Sequence, residues 1–287
     1  MSGGAPAGGH TSAGVLAELA TALMFLTRLP VFGAGSGDPG VLSRATRWFP
    51  LVGALVGLLL GLLAWLAAMA LPPGPAAVLV LIAGVLITGA FHEDGLADVA
   101  DSAGAFGIDR KLEIMRDSRV GTYGALALLL LVLAKFALLV PLIQSAVPLH
   151  AAPSSCAPLF AALVGAHVAG RWSSVYLMAR IGYVRPEAAN RVVAEGVNER
   201  RLAESVGVAM PCLLLLAAFT AALPGGGPGT AVTVLIGVPI VSVTVSALGG
   251  AWCRRVFGGI TGDCLGAVNQ VLEVAVLMLF VMAFAGP

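Results

Sequence analysis

Gly121-Thr122-Tyr123-Gly124-Ala125-Leu126-Ala127-Leu128-Leu129-Leu130-Leu131-Val132-Leu133-Ala134-Lys135-Phe136-Ala137-Leu138-Leu139-Val140-Pro141-Leu142-Ile143 carries a single charge, Lys135. A helix needs about 20 apolar residues to cross the hydrocarbon of a bilayer, and this stretch supplies them. Working outward, further runs of that kind lie at 48–71, 156–180, 203–223, 230–252 and 267–285, with a shorter one at 76–91 whose helical character can continue into an acidic stretch. These predict an all-α fold: a polytopic transmembrane helix bundle of about seven spans. A further short apolar run at 13–27 carries Glu18; it spans, re-enters or lies in the interface as a short N-terminal helix, and the sequence leaves these open.

Composition agrees. Of 287 residues, 59% are hydrophobic and 11% charged, against about 25% charged in soluble domains. Mean hydropathy is +0.97. The net charge of +1 gives no reason to expect nucleic acid as a partner. Cys156, Cys212, Cys253 and Cys264 are scattered without a CxxC spacing and read as small apolar fillers. Residues 1–13, rich in Gly, Ala, Ser and Pro, read as a disordered tail before a single transmembrane catalytic domain at 14–287.

The connections alternate in charge. Those at 72–75, 144–155 and 224–229 hold no Lys, Arg, Asp or Glu; the others carry Arg28, Arg44 and Arg47, the acids and bases of 92–120, Arg180 to Arg201, and Arg254 with Arg255. Positive charge marks the cytoplasmic side, so the charged loops face the cytoplasm. Lys135 is the exception, and a carboxylate partner inside the bundle is its expected solution. No repeat of fixed period is present.

Chemistry concentrates in His92-Glu93-Asp94-Gly95-Leu96-Ala97-Asp98-Val99-Ala100-Asp101. Asp94, Asp98 and Asp101 are spaced i, i+4, i+7 and fall on one helical stripe. Like charges so placed repel, and a divalent cation with hard oxygen ligands would offset the repulsion; a solvated helix end with ordinary ion pairs is the bland alternative. Glu93 belongs to the same candidate metal set. Gly95 costs helix stability, which a close substrate or a second backbone would explain. His92 reads as a base, a ligand or a structural group; His10 and His167 carry no signal. Next, Arg116 and Arg119 sit three apart around Asp117. Guanidinium suits phosphate, and positive-inside anchoring explains the same residues equally well. A third cluster, Gly258-Gly259-Ile260-Thr261-Gly262-Asp263, opens the last apolar run, where backbone amides such as that of Gly262 could cradle an anion. Glu273 within that run is by default a functional-site candidate.

Three motifs together resemble the cobalamin synthase family, the adenosylcobinamide-GDP ribazoletransferases. They are Phe25-Leu26-Thr27-Arg28-Leu29-Pro30-Val31 with Phe49-Pro50-Leu51-Val52-Gly53; His92 through Asp101 followed by Glu113-Ile114-Met115-Arg116-Asp117-Ser118-Arg119-Val120-Gly121-Thr122; and Gly259-Ile260-Thr261-Gly262-Asp263 with Leu265-Gly266-Ala267. The second is the most specific. The match extends from about 20 to 280, and the stretches after Asp101 and at 183–198 fit less well.

The resemblance implies joining the cobinamide phosphate of adenosylcobinamide-GDP to α-ribazole or its 5′-phosphate, with release of GMP and with Mg²⁺. It implies a multi-pass protein of the bacterial cytoplasmic membrane, in contact with lipid, with its site facing the cytoplasm, alone, as a homo-oligomer or within a corrinoid assembly complex. Carried onto this sequence, Asp94, Asp98 and Asp101 with Glu93 hold the metal. Arg116 and Arg119 take the leaving phosphate, with Arg28 or Arg47, Gly262 and Glu273 as further substrate contacts. Asp117, Asp263 or His92 handles the proton. Two rivals are a CDP-alcohol type phosphotransferase and a cation or proton transporter. The Arg28 and Asp263 motifs speak against the first, and the absence of paired halves against the second.

Overall fold

The structure, a computed structural model, describes residues 12–31, 38–146, 155–184 and 193–284. The sequence expectation of a tail at 1–13 lies outside the described residues up to residue 11; Ser12 and Ala13 already begin a helix. Eleven helices organise the described chain. They are α1 (Ser12–Leu26), α2 (Pro39–Ala45), α3 (Phe49–Ala68), α4 (Pro73–Thr88), α5 (Phe91–Ala103), α6 (Ile108–Ile114), α7 (Thr122–Ala146), α8 (Cys156–Arg180), α9 (Glu199–Ala221), α10 (Pro228–Phe257) and α11 (Gly262–Phe284). A 3₁₀ turn, Thr46–Trp48, joins α2 to α3, and a π-helical segment, Thr233–Gly237, interrupts α10.

Proline starts several of these helices where its missing N–H costs nothing, as at Pro73 in α4 and Pro228 in α10. The first uncharged connection, Leu71 to Pro75, is therefore a real helix boundary.

Helix α8 is the axis of the bundle. Only Tyr176, Ala179 and Arg180 of its 25 residues escape burial, because α3, α11, α9 and α10 pack around it. The α3–α8 seam is made by glycine. A Cβ at Gly53 would stand 2.2 Å from the His167 carbonyl oxygen, one at Gly57 2.6 Å from that of Leu163, and one at Gly61 2.9 Å from the Phe160 ring. Spaced four apart, the three glycines form a flat stripe on which the α8 backbone lies, the small-residue packing that lets membrane helices touch without a hydrophobic driving force.

Among the described residues, five helical stretches are long and apolar enough to cross a membrane: Pro39–Ala68, Thr122–Ala146, Glu199–Ala221, Pro228–Phe257 and Gly262–Phe284. The pair α4 and α5, bent by 91°, makes a sixth if counted as one broken span. The fold is thus a polytopic membrane helix bundle, with five or six spans on length and hydropathy rather than seven. The shortfall has a physical reason. Helix α8 is long enough, but His167 and Arg171 lower its hydropathy, and a helix walled by protein need not be apolar on every face. At 15 residues, α1 is too short to count.

Candidate active site

The corner between α4 and α5 sets the site. Gly89 at φ +69° and Ala90 at φ +58° turn the chain through the left-handed region. There the Arg28 side chain lies against Gly89, where a Cβ would meet Nε at 2.4 Å, and the Arg28 backbone N–H donates to the Ile87 carbonyl at 2.7 Å. Glycine suits that position through its positive φ and through the space that the Arg28 side chain occupies. Arg28 is thereby seated at the entry to the acidic helix.

Helix α5 then runs between α11 and α7. Its contact with α11 is backbone on backbone. A Cβ at Gly95 would fall 2.8 Å from the Asp263 carbonyl oxygen, and one at Gly266 3.1 Å from that of His92. The helix-weakening Gly95 is therefore explained by a second backbone, and its effect is to bring Asp263 alongside the acidic stripe. Asp263 itself is half-buried, 3.3 Å from the Thr261 hydroxyl.

The stripe divides by role. Asp94 is exposed and forms no ion pair with a described residue; Asp98 is half-buried one turn later. Asp101 accepts the Gly121 N–H at 2.7 Å and the Gly124 N–H at 2.8 Å, one at each carboxylate oxygen. It therefore binds the amino end of α7, where the helix dipole and free amides favour an anion. Both partners have to be glycine, since a Cβ on either would lie within 2.5 Å of the carboxylate. By fixing Gly121, Asp101 also fixes the end of the loop that carries Arg116 and Arg119 beside the acidic helix.

In that loop Arg119 grips Asp117 with two guanidinium nitrogens, Nε at 2.9 and 3.1 Å and Nη2 at 2.6 Å. The Arg119 guanidinium and backbone N–H bound to it hold the Asp117 carboxyl down at about 2. So weak a base is a poor proton acceptor near neutral pH. Arg116 is exposed nearby.

Several predicted residues stand elsewhere. Arg47 is bound to Glu18 at 2.7 Å, a carboxylate it shares with Arg44 at 3.2 Å. The Gly262 N–H already donates to the Tyr183 hydroxyl at 3.2 Å. His92, 2% exposed, lines an aromatic cavity with Phe25, Phe49, Phe91 and Tyr183, its Nδ1 unpartnered. Glu93 turns inward into a cavity of about 70 Å³ with Lys135, Arg171, Gln270 and Glu273.

Glu273 is the centre of a buried charge cluster. It accepts from Lys135 Nζ at 2.6 Å, lies 3.0 Å from His167 Nδ1 and pairs with Arg171. The carboxylate partner expected for Lys135 is thus Glu273. His167 and Arg171, four apart on α8, were the missed half. Their signal was present in the sequence: two ionisable residues one turn apart within an apolar run, which membrane helices carry only when they are paired.

The four carboxylates assigned to a metal are therefore not gathered at one point. Among the described residues no group of three His, Cys, Asp or Glu side chains is arranged to hold an ion. Asp94 and Asp98 fit the more open demand of Mg²⁺, which usually takes one or two carboxylates and completes its shell with water and phosphate.

A family model described as cobalamin-5-phosphate synthase matches residues 18–281. The chain belongs to this family. The matched span of this cobalamin-5-phosphate synthase family member runs from α1 into α11, so it takes in the corner at Arg28, the acidic helix, the arginine loop and Asp263. An adenosylcobinamide-GDP ribazoletransferase of Ralstonia nicotianae is 39% identical over 258 residues, 89% of this chain and 91% of the relative. Others from Shewanella amazonensis, 38% identical over 92% of this chain and 94% of the relative, and Shewanella frigidimarina, 38% identical over 88% and 89%, align over nearly the same extent. No solved structure matches significantly.

Proposed function

We propose that the protein is an adenosylcobinamide-GDP ribazoletransferase of the bacterial cytoplasmic membrane. It joins the cobinamide phosphate to α-ribazole or its 5′-phosphate at the cytoplasmic rim and releases GMP. The observation that carries this reading is the convergence on α5: Asp101 ties it to the arginine loop, Gly95 ties it to Asp263, and the Gly89 corner brings Arg28 to its start. An acidic stripe beside free cations is what transfer of a phosphoryl group requires.

In this reading Asp94 and Asp98 would hold Mg²⁺, which when bound would supply positive charge to the diphosphate. A ribazole hydroxyl attacks the phosphorus next to the cobinamide, and the bond to the GMP oxygen breaks. Asp263 takes the hydroxyl proton, being half-buried beside the stripe. Arg116 and Arg28, joined by Arg119 once it exchanges Asp117 for phosphate, hold the departing GMP. Helix α8, about 37 Å long at the helical rise, is taken as the seventh span, screened from lipid by its neighbours.

The test is turnover of the purified protein in liposomes, with adenosylcobinamide-GDP, α-ribazole 5′-phosphate and Mg²⁺. GMP and a joined corrinoid, both abolished by EDTA, are expected. Transfer from CDP-alcohols instead, with no corrinoid product, would replace the reading.

A further inference from the structure

Two cavities are both lined by α1 and α9, and neither belongs to the site above. The first, of about 300 Å³, is lined by Glu18 of α1, Arg44 of α2, Arg47, and Arg200, Arg201 and Glu204 of α9. Each glutamate is shared by two arginines: Glu18 by Arg44 and Arg47, Glu204 by Arg200 at 3.0 Å and Arg201 at 2.6 Å. Four guanidinium groups face two carboxylates, so the lining keeps two positive charges in excess. Arg47 Nε is buried and has no hydrogen-bond partner, a donor left over for an incoming acceptor.

The second cavity, of about 450 Å³, is lined by apolar side chains. Leu23 of α1, Leu51, Leu55 and Leu58 of α3, and Leu215 and Phe219 of α9 are among its walls. On α9 its lining begins about 12 Å beyond Glu204, at Cys212, and on α3 about 6 Å beyond Arg47, at Leu51. Leu55, Leu58, Leu215 and Phe219 are 39%, 45%, 71% and 46% exposed, so the groove opens sideways from the bundle. A hydrocarbon core of about 30 Å gives each leaflet about 15 Å, and the groove's lining, Leu51 to Leu58 on α3 and Cys212 to Phe219 on α9, runs for about 10 Å within that depth.

We propose that the arginine pocket and the apolar groove together form one binding site for an anionic phospholipid of the cytoplasmic leaflet. Its phosphate lies among Arg44, Arg47, Arg200 and Arg201, and an acyl chain lies along α3 and α9. The excess positive charge selects an anionic headgroup over a zwitterionic one, and the groove selects a lipid over a free phosphate. The bound lipid also staples α1, which is too short to span, to the ends of α3 and α9. This inference does not depend on the reaction proposed above.

The test uses the full chain, delipidated in detergent and offered phosphatidylglycerol, phosphatidylcholine or inorganic phosphate, with native mass spectrometry counting retained molecules and thermal unfolding as a second readout. One phosphatidylglycerol should be kept in preference to phosphatidylcholine by at least about tenfold and should raise the unfolding temperature. The double variant Arg44→Gln, Arg201→Gln should lose that preference, and Ala54→Phe, which fills the groove and leaves every charge in place, should lose retention. Equal retention of the two lipids, or retention unchanged in both variants, overturns the proposal. Inorganic phosphate protecting the wild type and Ala54→Phe alike, at the expense of the lipid, would show a free-phosphate site and overturn it too. Should the variants fail to fold, the three-way competition on the wild type decides.

Discussion

Two groups of carboxylates in this molecule meet opposite fates. Glu273, 2% exposed in the bundle interior, has Lys135, Arg171 and His167 around it. At the charged rim, on α5, Asp94 is exposed and Asp98 is half-buried one turn later. The difference teaches what each is for. A charge within the bilayer has to be neutralised by the protein itself, because water is not there to do it and an uncompensated ion costs several kcal/mol. A charge at the rim can be left for a ligand to neutralise. An intramembrane acid is by default a functional candidate, yet here the buried acid sits in an ion-pair cluster, and the proposed reaction draws on the acids at the edge instead.

The contrast can be broken most forcefully at its interior end. Glu273→Ala leaves Lys135 and Arg171 buried together without their counter-charge, and should destabilise the fold by about 3–5 kcal/mol. Thermal unfolding in detergent, and the yield of folded protein, would register it; a stability like the wild type's would mean that water reaches the cluster.

The seam beneath that cluster comes next. Gly57→Leu drives a side chain into the Leu163 carbonyl, from which even a Cβ would be 2.6 Å away. A loss of about 1–3 kcal/mol is expected from overpacking, measured by the same unfolding. A smaller and local effect belongs to Asp101→Asn, which keeps one acceptor oxygen and turns the other position into a donor facing an N–H. Amide exchange at Gly121 and Gly124 should speed up and turnover should fall, while global stability shifts by about 1–2 kcal/mol. Unchanged exchange would mean that Asp101 does not hold the loop.

The smallest effect is in pH. Asp117 is depressed to about 2 by Arg119, so its pairing is complete above the ordinary carboxylate range near 4 and is lost only as pH falls through about 2. Between pH 5 and 8 the loop should show no titration from this residue, and Asp117→Asn should leave the pH dependence of turnover unmoved there. A limb near neutral pH that Asp117→Asn abolishes would return Asp117 to the role of base.

Much of this was legible in the chain. The apolar runs, the Pro breaks and the alternation of charged with uncharged connections fixed the helical bundle, and the i, i+4, i+7 spacing placed Asp94, Asp98 and Asp101 on one stripe. The division of labour within that stripe was not legible. It depends on α7 presenting Gly121 and Gly124 to Asp101, a contact across 20 residues that spacing cannot encode. The same holds for Glu93, whose inward turn follows from where α11 and α8 lie. The stripe Gly53, Gly57, Gly61 was readable by its spacing of four, but it gained meaning only once α8 was seen resting on it. Arg47 looked available because Glu18, its partner, lay in a segment whose placement the sequence left open.

The central claim is that the rim carboxylates serve the reaction and the interior ones the fold. Asp98→Asn tests it most directly, with GMP release measured in liposomes beside thermal unfolding of the same preparation. The account predicts turnover lowered by about 10²-fold or more with the unfolding temperature intact. Near-normal turnover in a well-folded Asp98→Asn protein would contradict it and remove the acidic stripe from the chemistry.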